Sequence, residues 1–415
     1  MAMRKNSGKT LVLAGLVVCL AVLFCLGSCA GSEKNEEVSS ADSVSSEDVT
    51  VPEDVSLSDV SMELGYGITR RLDAVGGKEI RWSTSDDTIA SVDSEGNVKG
   101  VDLGECVITA SNEFGRKAQC SVTVKKTCYI TVDDGPSSYV NSLLDALKET
   151  DVKATFFLVG TPYFPVVKRM ADEGHTLALH TYRFHSYRDQ YVYFTNLDLL
   201  NDRLEEYTGM RSNILRFPGG SGNSLSEPLN MRRVINGAHD LGYRVFDWTC
   251  SAGDASGNGS YKKSCTMIRK LCTRKQEIVL FHDKGFTPNV IRTMVPELRE
   301  RGYVFETLDH CPDDSYEVRC RYSYKNPDLP AEEVSIKPSE LTLPIGAEYT
   351  LKAIMTPERS TDFVVWQSSD EKVVTIDKGG KITGVAEGEA VITVRTTSGK
   401  TASCKVKVVS GQESR

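Results

Sequence analysis

The 415-residue chain lacks an excess of basic residues, because 49 lysines and arginines are set against 57 aspartates and glutamates, for a formal net charge of -8. It also lacks a basic stripe that could follow a phosphate backbone. The composition therefore excludes nucleic acid as a partner. The length is greater than one hydrophobic core usually serves, so several domains are expected.

Large side chains are almost missing from residues 30–54, which consist mainly of serine, glutamate, aspartate and valine. A segment of this composition buries too little apolar surface to fold, so it is predicted to be a disordered tether.

Residues 1–29 have the layout of a signal segment, with basic residues at the start and an apolar run from Leu11 to Leu26. The run ends in Leu26-Gly27-Ser28-Cys29, which resembles a bacterial lipobox and implies cleavage before Cys29 and attachment of lipid to it. The alternative is an uncleaved membrane anchor, since the run is just long enough to span a bilayer. Both interpretations predict an extracytoplasmic protein anchored to the membrane of the cell envelope.

Nine of the twelve cysteines lie after Cys29, and an odd number leaves at least one free thiol. Their spacing does not determine which of them pair.

The chain contains an internal repeat. Residues 81–124 align without a gap on residues 365–408, and 17 of the 44 aligned pairs are identical, including Trp82 with Trp366 and Cys120 with Cys404. Short alternating runs separated by turn residues predict a small β-sandwich for each copy. Residues 55–125 and 332–409 resemble bacterial immunoglobulin-like group 2 domains. Neither copy has a convergent polar or aromatic cluster, which favours a spacer role over specific ligand binding.

Residues 127–325 have a different pattern, in which short, nearly continuous apolar runs alternate with amphipathic helical stretches. Strands buried on both faces have this appearance. The seven predicted strands are 128–132, 154–159, 176–179, 214–217, 244–248, 278–281 and 303–308. Alternation of this kind predicts an α/β domain with a parallel sheet, arranged as a distorted (β/α)7 barrel. The chain is therefore predicted to be multidomain, with this barrel between two all-β sandwiches and a tail at 410–415.

Candidate chemical groups follow the predicted strands, where active sites of such barrels form. Asp133 and Asp134 follow the first strand, and adjacent carboxylates repel each other unless a cation or base chemistry uses them. The chain has only six histidines, and His180, His185 and His282 all fall at this predicted mouth. One carboxylate and two imidazoles, from Asp134, His180 and His185, would suit zinc or a similar divalent ion.

These segments resemble the five motifs of the polysaccharide deacetylases of carbohydrate esterase family 4, over residues 127–310. The matching segments are Thr131-Val132-Asp133-Asp134-Gly135-Pro136, His180-Thr181-Tyr182, Arg216-Phe217-Pro218-Gly219, Asp247-Trp248 and Leu280-Phe281-His282.

The resemblance implies a role for each matched residue. Asp133 would be the general base, His282 the general acid, and Asp134, His180 and His185 the metal ligands. Arg216 would pair with Asp133, and Asp247 would orient His282 or its neighbours. Gly219, after Pro218, would donate its backbone N–H to the oxyanion. Trp248 and Leu280 would wall the acetyl pocket.

The chain departs from the family in one place, since His180 and His185 are five residues apart where the family has four. A bulge can absorb one extra loop residue, so His185 is kept as a predicted ligand, with Asp189 or water as substitutes.

The resemblance implies a metal-dependent deacetylase, with zinc as the first choice of metal and cobalt, nickel or manganese as alternatives. Its partner would be a cell-wall or extracellular polysaccharide, and the predicted reaction is removal of N-acetyl groups from N-acetylglucosamine units, with peptidoglycan as the first candidate substrate. Two alternatives stay open. One is an O-acetyl polysaccharide esterase that uses the same residues, and the other is a non-catalytic glycan-binding adhesion protein that has lost its metal.

Overall fold

The structure is a computed structural model that describes residues 54–183, 187, 190–222, 228–255, 257–312 and 329–410. The predicted signal segment with Cys29, most of the tether, His185 and Asp189 lie outside the described residues. The described residues form one compact unit. No helix among the described residues is both long enough and apolar enough to cross a membrane.

The N-terminal module is built from strands with a half-buried, alternating pattern. Its strands are Ser56–Leu57 (β1), Ser61–Gly65 (β2), Thr69–Arg71 (β3), Ala74–Val75 (β4), Arg81–Thr84 (β5), Ala90–Val92 (β6), Asn97–Gly100 (β7), Gly104–Ser111 (β8) and Lys117–Gly135 (β9). Strands β5, β8, β9 and β2 form one layer, and β3, β7 and β6 form another. The last strand, β9, has 19 residues and continues without a linker into the α/β region.

The α/β region contains all seven predicted strands, and β9 supplies the first. The elements that follow it are Val140–Glu149 (α1), Thr155–Val159 (β10), Val167–Asp172 (α2), Thr176–Thr181 (β11), Gln190–Thr208 (α3), Ile214–Leu215 (β12), Pro228–Asp240 (α4), Arg244–Val245 (β13), Cys250–Ser251 (β14), Tyr261–Leu271 (α5), Gln276–His282 (β15), Thr287–Glu300 (α6) and Tyr303–Glu306 (β16). Two short 3-10 helices span Phe164–Val166 and Leu308–His310.

The strands of this region pair in parallel in the order β13-β12-β11-β10-β9-β15-β14, and β16 also pairs with β9. The two strands at the ends of this path, β13 and β14, are only four residues apart in the chain. The pairing describes a path rather than a ring, so the predicted seven-stranded barrel stays a prediction.

Both faces of the sheet are buried, which explains the nearly continuous apolar runs. On β9, Ile130 and Val132 join the core beneath the helices, whereas Tyr129 points to the opposite face. On that opposite face, Tyr129 shares one hydrophobic core with Leu64 and Ile108 of the N-terminal module. The N-terminal module is therefore packed directly against the sheet and is not a separate domain joined to it only by the chain.

The C-terminal module repeats the sandwich pattern. Its strands are Glu333–Lys337 (β17), Glu340–Pro344 (β18), Glu348–Thr350 (β19), Lys352–Thr356 (β20), Val364–Ser368 (β21), Val374–Ile376 (β22), Lys381–Gly384 (β23), Gly388–Thr396 (β24) and Thr401–Val409 (β25). Strands β18, β25, β24 and β21 form the larger sheet, and β19, β23 and β22 form the smaller.

The C-terminal module docks on helices α3 and α4 through Phe363, which is 2% exposed and belongs to the core of the α/β region. Its ring meets that of Phe194 at a centroid distance of 5.1 Å. Around it, Arg233 Nε donates to the Ser360 carbonyl at 2.7 Å, and Arg395 pairs with Asp240 at 2.7 Å. This apolar centre with a polar rim holds the module firmly against the two helices.

Candidate active site

The two adjacent carboxylates at the end of β9 lie in different surroundings. Asp133 is 3% exposed, whereas the Asp134 side chain is 58% exposed. Asp134 has φ +65°, a left-handed conformation that aspartate tolerates better than most residues. This turn separates the two side chains, so one is held inside the protein and the other faces the open mouth.

The register of the parallel sheet brings His282 to the same place. In the pairing of β15 with β9, His282 lies directly opposite Asp133. The Nε2 atom of His282 is 3.9 Å from Oδ2 of Asp134. The candidate acid and the candidate base therefore come from neighbouring strand ends, as parallel strands require.

Arg216 is fully buried, and its guanidinium donates to four acceptors. Its Nη1 atom donates to Asp133 Oδ1 at 2.7 Å and to the Thr131 hydroxyl at 2.8 Å. Nε donates to the Phe246 carbonyl at 3.0 Å and Nη2 to the Asp247 carbonyl at 2.9 Å. A buried charge is tolerated only with such complete pairing. The predicted pairing of Arg216 with Asp133 is present.

His180, on β11, has one ring nitrogen committed to the backbone. Its Nδ1 atom lies 2.7 Å from the Arg216 carbonyl, and because a carbonyl only accepts, Nδ1 is the donor. The lone pair of Nε2 then faces Asp134, whose Oδ1 is 3.6 Å away. A hydrogen bond of this kind fixes the tautomer of a metal-binding histidine.

This donor set fits a divalent metal. Two ligand atoms 3.6 Å apart can both lie about 2.0–2.2 Å from one ion, as zinc ligands do. The residues that the structure describes contain no group of three metal-binding side chains. The third predicted ligand, His185, lies outside them.

The carboxylate that holds His282 is Asp254, and the role expected for Asp247, to orient His282 or its neighbours, stays a prediction. Oδ1 of Asp254 lies 2.8 Å from Nδ1 of His282, and its Oδ2 accepts from the His282 backbone N–H at 2.7 Å. Asp247 instead accepts from the Ser221 N–H at 2.8 Å and from its hydroxyl at 2.6 Å. Asp254 could not be recognised from the sequence, because it follows β14 by three residues, in a segment rich in turn-forming residues.

The pKa of His282 is raised above its ordinary value. Burial lowers it, but the hydrogen bond and the charge of Asp254, together with the charges of Asp133 and Asp134, outweigh the burial. A histidine in these surroundings keeps its proton to higher pH, which is the state that a general acid needs.

The turn from Pro218 to Ser221 is fixed from two sides. Asp247 holds Ser221, and the buried Tyr187 donates its hydroxyl to the Pro218 carbonyl at 2.8 Å. Gly219 and Gly220 have φ of +76° and +75°, which glycine adopts without strain. Within this turn Gly219 is exposed, whereas Gly220 and Ser221 are buried.

Trp248 and Leu280, which are predicted to wall the acetyl pocket, lie on different elements of the site. A Cβ atom on Gly220 would lie 2.9 Å from the ring of Trp248, so Trp248 packs directly against the turn. Leu280 is buried on β15, two residues before His282 and therefore on the same face of the strand.

Family models match three parts of the chain. Residues 121–246 match the polysaccharide deacetylase model, and residues 43–137 and 330–408 match the bacterial Ig-like domain (group 2) model.

Two relatives from Bacillus species align with nearly half of the chain. The chain is 31% identical over 195 residues to a putative polysaccharide deacetylase, YheN, of Bacillus subtilis, covering 44% of this chain and 67% of that protein. It is 33% identical over 214 residues to a peptidoglycan-N-acetylglucosamine deacetylase of Bacillus cereus, covering 48% of this chain and 72% of that protein.

Among solved structures, the catalytic domain of a peptidoglycan N-acetylglucosamine deacetylase from Eubacterium rectale is 32% identical, with a TM-score of 0.43, and covers 46% of this chain and 92% of that one. From the sequence matches, the chain belongs to the polysaccharide deacetylase family and is a deacetylase that also carries bacterial Ig-like domains.

Proposed function

We propose that this protein is a metal-dependent N-deacetylase that removes acetyl groups from N-acetylglucosamine units of a cell-envelope polysaccharide, with peptidoglycan as the first candidate. The observation that carries the proposal is the convergence of Asp133, Asp134, His180 and His282 at neighbouring strand ends. The similarity to the Bacillus cereus peptidoglycan-N-acetylglucosamine deacetylase supports the choice of substrate.

Asp134 and His180 would hold the metal, with His185 as the third ligand. A divalent cation there, zinc first among the candidates, would polarise the acetyl carbonyl and make water a better nucleophile at neutral pH. A family 4 acetyl xylan esterase from Clostridium thermocellum was solved in complex with a cobalt ion, which agrees with a divalent cation in this family.

Asp133 would act as the base. Its Oδ1 atom is committed to Arg216, which leaves Oδ2, 4.0 Å from Nε2 of His180, to take a proton from the attacking water. The water oxygen forms a bond to the acetyl carbon, and the carbonyl electrons move to the oxygen. Arg216 keeps the carboxylate in place during this step, since it is held by three further acceptors.

His282 would complete the reaction as the acid. When the C–N bond breaks, Nε2 of His282 gives its proton to the leaving nitrogen, and acetate and a free amino sugar result. Asp254 keeps the ring oriented, because it binds both Nδ1 and the backbone N–H of His282. Gly219 would donate its N–H to the oxyanion, and Trp248 and Leu280 would line the acetyl pocket.

Acetate release by the full chain tests this function. We expect release from peptidoglycan that stops on chelation and returns with zinc, and that is lost in Asp133→Asn. Asp172→Asn, which changes an exposed carboxylate paired with Lys168 on α2, is the matched control and should keep full activity.

A second set of substrates separates the alternatives. N-acetylated chitin oligomers and O-acetylated xylan are compared at equal acetyl content. Release from xylan alone would favour the O-acetyl esterase. No release from any substrate, together with no metal in the purified protein, would contradict the proposal and favour the glycan-binding protein.

The location and the architecture are further parts of the proposal. We infer that Cys29 carries a lipid that anchors the chain outside the cytoplasmic membrane, and that residues 30–54 are its tether. Replacing Cys29 with alanine should then release the protein from the membrane fraction.

We also infer that residues 127–325 form a distorted (β/α)7 barrel. The barrel would close between β13 and β14, where the Phe246 N–H donates to the Leu215 carbonyl and the Thr249 N–H donates to the Ile278 carbonyl.

A further inference from the structure

Three buried cysteines meet in the α/β region. Cys128 is on β9, Cys250 is on β14, and Cys272 is the C-cap of α5, and all three are 0% exposed. The sulfur atoms of Cys250 and Cys272 are 3.1 Å apart. Even carbon atoms, which are smaller than sulfur, keep about 3.5–4.0 Å when they are not bonded. These two sulfurs are therefore closer than a simple packing contact brings them.

The backbone on both sides of this contact is held in place. Cys250 pairs with Val279 on β15, and the Cys272 N–H donates to the Ile268 carbonyl at 3.0 Å. The sulfurs would have to approach each other by about 1 Å to reach the disulfide bond length of about 2.05 Å. The structure thus presents two cysteines from well-ordered elements with their sulfurs already facing.

We propose that Cys250 and Cys272 form a disulfide in the exported protein, and that this bond closes the segment that presents Asp254 to His282. Asp254 lies four residues after Cys250, inside the closed segment. Both of its carboxylate oxygens are used by His282. The bond itself does not depend on the reaction, whereas its effect on catalysis rests on the proposed role of His282 as the acid.

The oxidation balances as a thiol–disulfide exchange. The oxidant is the disulfide of an extracytoplasmic thiol–disulfide oxidoreductase. The thiolate of one cysteine attacks this disulfide and forms a mixed disulfide, and the thiolate of the second cysteine then displaces the oxidant as a dithiol. Two protons and two electrons leave the cysteine pair, and the oxidant gains both.

This exchange must occur before the core closes. The hydrogen bond that the Cys272 thiol donates to the Cys250 sulfur raises the pKa of Cys272, and burial raises it further, so the folded protein rarely forms the attacking thiolate. Once formed, the bond is enclosed and an external reductant reaches it slowly. We therefore expect a structural disulfide rather than a reversible switch.

Peptide mapping tests the bond directly. The full chain is isolated from an exporting bacterial host, denatured without a reductant, alkylated and digested with trypsin. Cleavage after lysine and arginine places Cys128, Cys250, Cys265 and Cys272 in four separate peptides, 127–148, 245–262, 264–269 and 271–274. We expect peptides 245–262 and 271–274 to be linked and to separate after reduction. Alkylation of both cysteines without reduction, or a link from Cys128 to either, would overturn the proposal.

Variants test what the bond does. Reduction of the denatured wild type followed by refolding under reducing conditions should lower its Tm by about 5–10 °C. The double variant Cys250→Ala, Cys272→Ala should lose this response to reductant, whereas Cys265→Ala, a buried cysteine on the same helix, should keep it.

Activity gives a separate outcome. We expect the double variant to lower kcat while KM stays within a factor of about two, because Asp254 positions His282 and does not touch the substrate. An unchanged kcat in a folded double variant would overturn the proposed effect of the disulfide on Asp254 and His282. The proposal that the disulfide forms would not be affected. If the wild type proved inactive on every substrate, the proposed function would fail, yet the peptide map would still decide the disulfide. If the double variant did not fold, the peptide map of the wild type would still decide whether the disulfide forms.

Discussion

Asp254 holds His282 at two points, with Oδ1 2.8 Å from the ring Nδ1 and Oδ2 2.7 Å from the backbone nitrogen. The first bond orients the ring and stabilises its protonated form, and the second fixes the end of β15. Asp254 thus determines both where the candidate acid lies and how firmly it keeps its proton.

Replacing Asp254 with asparagine should move the alkaline limb of the pH profile of kcat/KM to lower pH. His282 must be protonated to act, and the asparagine side chain removes the charge that helps to raise the pKa of His282. The protonated fraction is then lost at a lower pH. We expect kcat at neutral pH to fall by about tenfold or more. An alkaline limb at the wild-type pH would show that Asp254 does not control this proton.

Much of this site could be predicted from the sequence, and Asp254 shows where that prediction ends. Asp133, His180, Arg216 and His282 follow or end buried strands, and the rule that active groups gather at the carboxyl ends of parallel strands places them together. Asp254 lies in a loop with Gly253 and Gly259, where local pattern gives no direction for a side chain. Only the tertiary contact with His282 distinguishes it from a solvent-facing turn residue.

The role of the C-terminal module also could not be predicted from the repeat. Glu79, two residues before the gapless alignment, corresponds to Phe363 when the alignment is extended without a gap. Glu79 is exposed, and Phe363 is buried against α3 and α4. The repeated residues are mainly those that form the core of each sandwich. The repeat therefore does not indicate which surface residue of a module packs against another part of the protein.

Phe363 and Gly237 should be coupled energetically. Phe363→Ala removes a buried ring and is expected to cost about 3–5 kcal/mol of the free energy of unfolding. Gly237→Ala should also destabilise the protein, because the new Cβ would lie 2.6 Å from Cγ of Phe363. In the double variant the new methyl group enters space that the ring has left, so its cost should be smaller than the sum of the single costs.

Denaturant unfolding of the four proteins measures this coupling. Glu79→Ala is the matched control in the N-terminal module and should change the free energy of unfolding by less than about 0.5 kcal/mol. Strictly additive costs of Phe363→Ala and Gly237→Ala would contradict the contact.

Arg216 should be essential for stability as well as for activity. Replacing it with methionine leaves Asp133 buried without its partner, which is expected to cost about 3–5 kcal/mol. Lysine keeps the charge but cannot reach four acceptors, so Arg216→Lys should recover only part of the loss. Urea unfolding provides the measurement. Arg211→Met, which removes an exposed arginine paired with Asp202 and Glu205, is the control and should be nearly neutral.

Metal removal should be visible without any substrate. If Asp134 and His180 hold a divalent ion, adding zinc to the chelated protein should raise its Tm, and at 100 times the Kd the stabilisation is about 2.7 kcal/mol. His180→Ala should abolish this shift. His175→Ala is a useful comparison, because His175 is buried but its Nδ1 accepts from the Ala154 N–H rather than facing the mouth. An equal zinc shift in His180→Ala would place the ion elsewhere.

Asp247 should behave differently from Asp254, although the sequence motif suggested Asp247 for the role that Asp254 has. Asp247 accepts the N–H and the hydroxyl of Ser221 and so fixes the turn that carries Gly219. In Asp247→Asn the amide oxygen can still accept the Ser221 N–H, and the Ser221 hydroxyl can rotate to accept from the amide nitrogen. We therefore expect a small effect on kcat.

Asp247→Ala removes both acceptors, and the freed turn should misplace the N–H of Gly219. A lost oxyanion donor costs about 10²–10³ in kcat, which sets the upper limit of the expected decrease. The alkaline limb of the pH profile should stay where it is in the wild type, because His282 keeps Asp254. A shift of that limb in Asp247→Ala would mean that Asp247 acts on His282 after all, whereas a decrease in kcat without a shift would assign the two aspartates to two separate tasks, one on the turn and one on the acid.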